Sequence, residues 1–244
     1  MKQTLLEVSR AQLLDKSKNA RVTKSYGTTR YERRSKQQVR SSVRIFDKLD
    51  FNSVFKASLL KFVTPVKGET SEYQVTILFE KFCEEIQRQM RQYNYELGFT
   101  LIYRALISAI NRSDVYINCN CPDFKYRLAY HATHGLYNSG RPQMIPANIT
   151  NPNDDLGAGC KHVLKVLSDL DWVIDLATSI NNYIRYMEEN FPDKYISIIF
   201  PAIYGMRYDT AVRKGIIKED EDEEEFEEPI EDEEPIESEV TDGA

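Results

Sequence analysis

The sequence lacks any long apolar run. No stretch approaches the ~20 consecutive apolar residues that are needed to span a bilayer. The N-terminal segment MKQTLLEVSRAQLLDKSK carries a charge every few residues, so it also lacks the apolar block of a secretory signal. We therefore expect an intracellular protein that is neither secreted nor inserted in a membrane.

Catalytic motifs are equally scarce. The sequence contains no phosphate-binding G-x-x-x-x-G-K-[ST], no dinucleotide-binding G-x-G-x-x-G and no G-x-S-x-G nucleophile motif. It has only three histidines, which leaves few candidates for acid–base chemistry. Asp123, Asp154 and Asp155 lie close to cysteines in the sequence, but their positions favour a helix cap and a turn. The sequence therefore predicts a protein without enzymatic activity.

Positive and negative charges are scarce in opposite parts of the chain. Of 38 acidic residues, 16 lie between Glu219 and Asp242, a stretch with no basic residue. The rest of the chain has 32 Lys and Arg against 22 Asp and Glu, which gives it a net charge of about +10. The first 45 residues hold 12 of the basic residues and only 3 acidic ones. This segregation is typical of chains that contact nucleic acid or a charged protein partner, although a solvated, flexible leader would show the same pattern.

The charge pattern divides the 244 residues into three predicted regions. Residues 1–42 are a flexible basic N-terminal arm that includes a short helix, residues 43–217 are the folded body, and residues 218–244 are an acidic tail. The composition of the tail predicts disorder. In and beside the arm, the candidate contacts to nucleic acid or to a protein partner are Arg30, Arg33, Arg34, Lys36, Arg40 and Arg44.

The body mixes strand and helix patterns, which predicts an α+β fold with a small β-hairpin or sheet and several helices. SLLKFVTPVKG and YQVTILFEKF flank the turn GETSE, and this arrangement predicts a hairpin. Apolar residues at helical spacing follow, and DVYIN then indicates a strand that leads directly into Cys119. Residues 160–191 carry an apolar stripe that predicts helix.

Cysteine is rare, yet three of the four cysteines stand in two short motifs. Cys119 and Cys121 flank a single asparagine, and Cys160 precedes His162 by two positions. Disulfides are not expected in a protein that is not secreted, so clustered Cys and His indicate metal ligands. Cys83 has no Cys or His nearby in the sequence and is predicted to be a buried thiol.

These two motifs have the chemistry of a zinc site. Zinc binds four soft or borderline ligands in a tetrahedron. A C-x-C pair at the end of a strand can direct both thiolates to one point. Helix N-terminal amides favour the thiolate form of the cysteine in the second pair. We predict a structural Zn²⁺ site formed by Cys119, Cys121, Cys160 and His162. Four protein ligands would leave no position for a reacting water molecule.

The 38 residues between the two pairs contain other candidate residues. His131 and His134 are spaced for one face of a helix; they are either partly exposed helix residues or rival ligands that replace Cys160 or His162. Lys125, Arg127 and Lys161 add positive charge around the site, and they either contact nucleic acid or a partner or form a solvated helix face.

The order C-x-C … C-x-H resembles the SWIM-type zinc finger, which also has a strand before the first pair and a helix after the second. This resemblance implies a zinc-stapled ββα-like unit over about residues 115–170, and binding to DNA or protein. The 38-residue insert is longer than is usual for that family.

A wider region is similar to zinc-finger-bearing proteins encoded among the virion genes of tailed bacteriophages. The similar stretches are CPDFKYRLAY, ITNPNDDLGAGCKH and DW…INNYIRY, within about residues 43–206. The resemblance implies a structural or assembly role in the virion and host cytoplasm, with other virion proteins as partners, and it allows an oligomer. The alternative is a DNA- or RNA-binding accessory protein that uses the basic arm and the surface of the finger.

Overall fold

The computed structural model describes residues 8–18, 34, 38–39, 51–68, 70–93, 96–145 and 158–216. The chain divides into two compact units, Met1–Tyr208 and Asp209–Ala244. The acidic tail predicted at residues 218–244 lies outside the described residues, as does most of the basic arm.

The scaffold of the larger unit is an antiparallel sheet with the strand order β1-β2-β3-β4. Strands β2 and β3 form the predicted hairpin, which is in register from Leu60 opposite Phe79 to Lys67 opposite Glu72. Strand β4 pairs with the other edge of β3. The strands span Gln38–Val39 (β1), Leu60–Lys67 (β2), Glu72–Phe79 (β3) and Val115–Cys119 (β4).

The helices, together with this antiparallel sheet, confirm the predicted α+β class. Two segments are π-helical and are named π1 and π2. The helices span Arg10–Lys18 (α1), Phe51–Ala57 (α2), Phe82–Tyr93 (α3), Phe99–Arg112 (α4), Phe124–Leu128 (π1), Ala129–His134 (α5), Lys161–Ser168 (α6), Trp172–Asn190 (α7), Pro192–Lys194 (α8), Tyr195–Ile199 (π2), Phe200–Tyr204 (α9) and Tyr208–Arg213 (α10).

One face of the sheet forms much of the core, because alternate strand residues point to the same side. Phe62 of β2 is fully buried and lies 4.5 Å from the Trp172 ring, measured between ring centroids. Helix α6 packs against β3 and β4. The sequence alternation therefore places the end of β4 beside the first turn of α6. The buried apolar residues of β3 and β4 are Val75, Ile77, Phe79, Val115, Ile117 and Cys119.

The helical pattern over residues 160–191 forms two helices, α6 and α7, with a break between them. At this break the indole Nε1 of Trp172 donates to the Val166 carbonyl oxygen at 3.1 Å. In a continuous helix that carbonyl would accept from the amide four residues later. Asp169 has extended backbone angles and pairs with Lys165 at 2.8 Å. The sequence SDLD thus ends α6 early, so that α6 is a separate short helix beside the sheet.

Candidate metal centre

The first ligand pair lies where β4 ends. Cys119 is the last residue of β4 and is opposite Val75 of β3. Because side chains alternate along a strand, Cys119 and Cys121 point to the same side and Asn120 points away. Their burial agrees with this geometry, since both cysteines are buried and Asn120 is exposed. The C-x-C spacing therefore brings two sulfur atoms to the buried face of the sheet.

The second pair lies at the start of α6. Cys160 is the N-cap residue, with extended backbone angles, and its carbonyl accepts from the Leu164 amide at 3.0 Å. Gly159 comes close to the helix: a Cβ at this position would lie 3.2 Å from the Val163 side chain. The small residues before Cys160 let the chain reach the sheet closely enough to place Cys160 and His162 beside β4.

The four predicted ligands converge. Their ligand atoms all lie within 4.8 Å of one another, and each residue is at most 2% exposed. The Nδ1 atom of His162 lies 3.9 Å from the Sγ of Cys119 and 3.8 Å from the Sγ of Cys160. In a tetrahedral site with typical zinc–ligand bond lengths, sulfur and nitrogen would be about 3.6 Å apart. The cluster therefore has the donor set and nearly the dimensions of a metal site.

The buried thiols of Cys119, Cys121 and Cys160 do not all ionise easily. Hydrogen bonds from Cys119 and Cys160 lower the pKa of Cys121 far below its ordinary value. Burial, and then hydrogen bonds with the other two sulfurs, raise the pKa of Cys160. The hydrogen bond with Cys121 raises the pKa of Cys119. The protein groups by themselves therefore favour one thiolate, whereas a bound divalent cation would offset the charge of all three.

A backbone amide and an aromatic ring complete the surroundings. The Phe124 amide at the start of π1 donates to the Sγ of Cys121 at 3.3 Å. The Tyr73 ring lies 4.6 Å from the imidazole of His162, and no described residue offers a hydrogen-bond partner to the His162 Nε2 atom. Tyr73 was not singled out from the sequence. Strand alternation could have identified it, because it lies on the same face of β3 as Val75, which is opposite Cys119.

The N-terminal helix covers the segment that carries the second pair. Ser17 of α1 is fully buried, and its hydroxyl oxygen accepts from the Ala158 amide at 3.2 Å. Arg10 donates to the Leu167 carbonyl near the other end of α6. The predicted short helix of the arm is thus packed on α6, and no sequence signal indicated this contact.

His131 and His134 do not join the cluster. Both lie near the end of α5 and contact the Tyr130 ring, at centroid distances of 5.5 Å and 4.2 Å. Within the described part of the chain, the one His, Cys, Asp and Glu group with metal-site spacing is Cys119, Cys121, Cys160 and His162. The rival ligands are therefore side chains of a neighbouring helix.

The candidate basic residues are dispersed around the centre. Arg34 donates to the Ser168 hydroxyl at 2.8 Å. Arg127 pairs with Asp123 at 3.7 Å, Lys125 is exposed, and Lys161 is half-buried. The remaining candidates, which lie outside the described residues, are Arg30, Arg33, Lys36, Arg40 and Arg44.

Comparison with models of known protein families, with curated proteins and with solved structures finds no match to this chain. Among the described residues, no helix combines the length and the apolar character needed to cross a membrane. The geometry of the Cys and His cluster is therefore the main basis for a functional assignment.

Proposed function

We propose that this chain is a structural zinc protein whose Zn²⁺ is held by Cys119, Cys121, Cys160 and His162. The observation that carries the proposal is the convergence of three sulfur atoms and one imidazole nitrogen within 4.8 Å, in a fully buried place. Thiolate and imidazole ligands favour zinc over the hard cations that prefer oxygen. When bound, the ion supplies two positive charges and a fixed tetrahedral geometry.

The proposed role of the ion is to join elements, not to carry out a reaction. Two ligands come from the end of β4 and two from the start of α6, so one ion would connect the sheet to the helix across the 38-residue insert. Four protein ligands leave no open position for water or substrate. Burial of all four ligands would also keep solvent from the ion. This arrangement best supports a structural role without enzymatic activity.

For the biological role, we propose a bacteriophage virion structural or assembly protein, present in the virion and in the host cytoplasm. Support comes from the sequence motifs alone, in which CPDFKYRLAY and the stretch ending in GAGCKH resemble zinc-finger-bearing virion-gene products of tailed phages. The SWIM-like order of the ligands agrees with a module that binds other macromolecules. The basic and acidic ends of the chain would dock on other virion subunits, with an oligomer as one arrangement.

The alternative role is a DNA- or RNA-binding accessory protein. One feature favours it: Lys125 and Tyr126 are both exposed on π1, shortly after the first cysteine pair, and Tyr126 is 53% exposed. A cation beside an exposed aromatic ring suits the phosphate and the base of a single strand. The opposing observation is that Arg127 and Lys165 already pair with Asp123 and Asp169.

Elemental analysis of the purified chain tests the zinc proposal. We expect about one zinc per chain, and loss of the metal with partial unfolding in Cys119→Ser and Cys160→Ser variants. Cys83→Ser is the matched control, because Cys83 is a buried cysteine on α3, outside the cluster, and should leave the zinc content unchanged. A folded wild-type chain that contains no metal when purified without chelator would contradict the proposal.

Salt dependence separates the two roles. A virion protein should remain in purified particles at high salt and show no affinity for nucleic acid. A nucleic-acid-binding protein should bind oligonucleotides with an affinity that falls steeply as salt increases, because binding releases counterions. In that case, removal of residues 219–244 should increase the affinity, since 16 acidic residues would no longer compete.

A further inference from the structure

Asn120, the residue between the two cysteines of the first pair, makes an unusual contact with β3. The paired part of β4 ends with Cys119 opposite Val75, and continuing the same register by one residue brings Asn120 to Gln74. The Asn120 amide donates to the Gln74 carbonyl at 3.2 Å. In return, the Gln74 amide donates to the side-chain Oδ1 of Asn120 at 2.9 Å. A side-chain oxygen therefore replaces the main-chain carbonyl that a regular antiparallel pair would use.

This replacement has a consequence for the next residue. Because the Asn120 carbonyl is not needed for the ladder, the main chain can leave the sheet immediately after Asn120. The Cys121 carbonyl then accepts from the Lys125 amide at 2.9 Å, in the turn that leads into π1. The Sγ of Cys121 accepts from the Phe124 amide at 3.3 Å. Both sulfur atoms can therefore face one point, although the strand ends between them.

We propose that Asn120 is a positioning residue for the metal centre: its side-chain oxygen closes the last pair of the ladder and so fixes the direction of Cys121. The inference rests on the proposed zinc function and names a residue that is not one of the four proposed ligands. The required chemistry is a short side chain with an acceptor oxygen in the plane of the sheet. Asp can supply that oxygen, whereas Ala cannot.

Metal affinity and cobalt spectra test the inference. We expect Asn120→Ala to bind zinc about 10- to 100-fold more weakly than the wild type, as is typical when a group that orients a ligand is lost. Affinity is measured by competition with a chromophoric chelator. Asn182→Ala, at an exposed position of α7, is the control and should bind as the wild type does. Asn120→Asp should recover most of the affinity.

The added charge of Asp could strengthen cation binding by itself, so geometry needs its own measurement. With Co²⁺ in place of zinc, the wild type and Asn120→Asp should show the same tetrahedral absorption bands, and Asn120→Ala should show weaker or shifted bands. Hydrogen exchange reports the contact directly. The Gln74 amide should be protected in the wild type and in Asn120→Asp, and should exchange faster in Asn120→Ala, which can be measured even where that variant is less stable.

The outcomes separate the two proposals. A wild-type chain that binds no metal overturns both. A wild-type chain that binds zinc, together with an Asn120→Ala variant of equal affinity and identical cobalt bands, overturns the positioning role alone. Unchanged exchange of the Gln74 amide in Asn120→Ala also overturns it, because the side-chain acceptor would then have no effect on the ladder.

Discussion

Removal of the proposed Zn²⁺ should open the cluster while the rest of the chain stays folded, and the number of reactive cysteines should measure this change. Cys119, Cys121 and Cys160 lie in the cluster. Cys83 lies on α3, where its thiol donates to the Val54 carbonyl at 3.2 Å. Helix α3 packs against α4 and contributes no residue to the cluster. We therefore expect a chelator to make three thiols per chain reactive and to leave the fourth protected.

The environment of Cys83 gives the size of the difference. Burial raises the pKa of Cys83 to about 12, from an ordinary value of 9.0. The thiolate is the reactive form, so at a pH below both values its population falls about 1,000-fold relative to an ordinary thiol. Burial also keeps a reagent away from the sulfur, so Cys83 should react much more slowly than an ordinary thiol while α3 remains folded. The three thiols of an opened centre should react at rates close to those of free cysteine.

A coloured thiol reagent, added before and after a zinc chelator, measures these populations. We expect almost no rapid reaction before chelation, three equivalents after it, and four in strong denaturant. A Cys83→Ala variant should give three equivalents both after chelation and in denaturant. Rapid reaction of all four thiols on chelation would refute the argument, because it would mean that the metal holds the whole fold. Rapid reaction of three thiols in the zinc-loaded chain would show that they are not ligands.

Three further outcomes follow from local geometry. Ser17→Ala leaves the buried Ala158 amide without its acceptor, so urea denaturation should show a loss of about 1–3 kcal/mol in the free energy of unfolding. Gly205→Ala should lower the free energy of unfolding by about 1–2 kcal/mol, because Gly205 has φ 68°. Gly98→Ala is the control and should be nearly neutral in the same assay: Gly98 has φ 175°, and a Cβ added there would have no atom within 4 Å. Burial raises the pKa of Tyr137 to about 12 from 10.0, so the unfolded chain loses this proton first and stability should fall between pH 10 and about 12. Tyr137→Phe should make that fall smaller, and an equal fall in the variant would contradict the assignment.

The hairpin and the ligand set could be predicted from the sequence because both depend on local rules. Alternation along YQVTILF fixes which residues of β3 are buried. The same period of two explains why residues 119 and 121 share a face. Cys160 can lie near His162 because it is the N-cap residue before α6, with extended backbone angles, and is not part of the helix itself. Each of these inferences depends only on residues that are close in the sequence, so the sequence pattern is enough to predict it.

The contacts of the N-terminal helix could not be predicted in this way. Ser17 and Arg10 bond to residues 141 and 157 positions away in the sequence. Their residue types suit a solvated arm equally well, and only the packing of α1 on α6 distinguishes the two. The end of α6 could not be predicted for a similar reason. The Trp172 indole donates to the Val166 carbonyl oxygen, and the spacing of apolar residues does not indicate such a side-chain hydrogen bond.

The packing of α1 also limits how the basic arm can act. A solvated leader is not compatible with residues 10–18, since Leu13 and Ser17 are both buried. Arg34, further along the arm, bonds to Ser168 at the last turn of α6. Both contacts are made to the helix whose first turn carries His162, so the proposed metal site and the arm depend on the same element. In either proposed role, loss of the metal should therefore affect the arm as well. If the arm docks on a virion subunit or on nucleic acid, chelation should weaken that binding even though no ligand residue touches the partner. Binding that does not change on chelation would mean that the arm acts independently of α6.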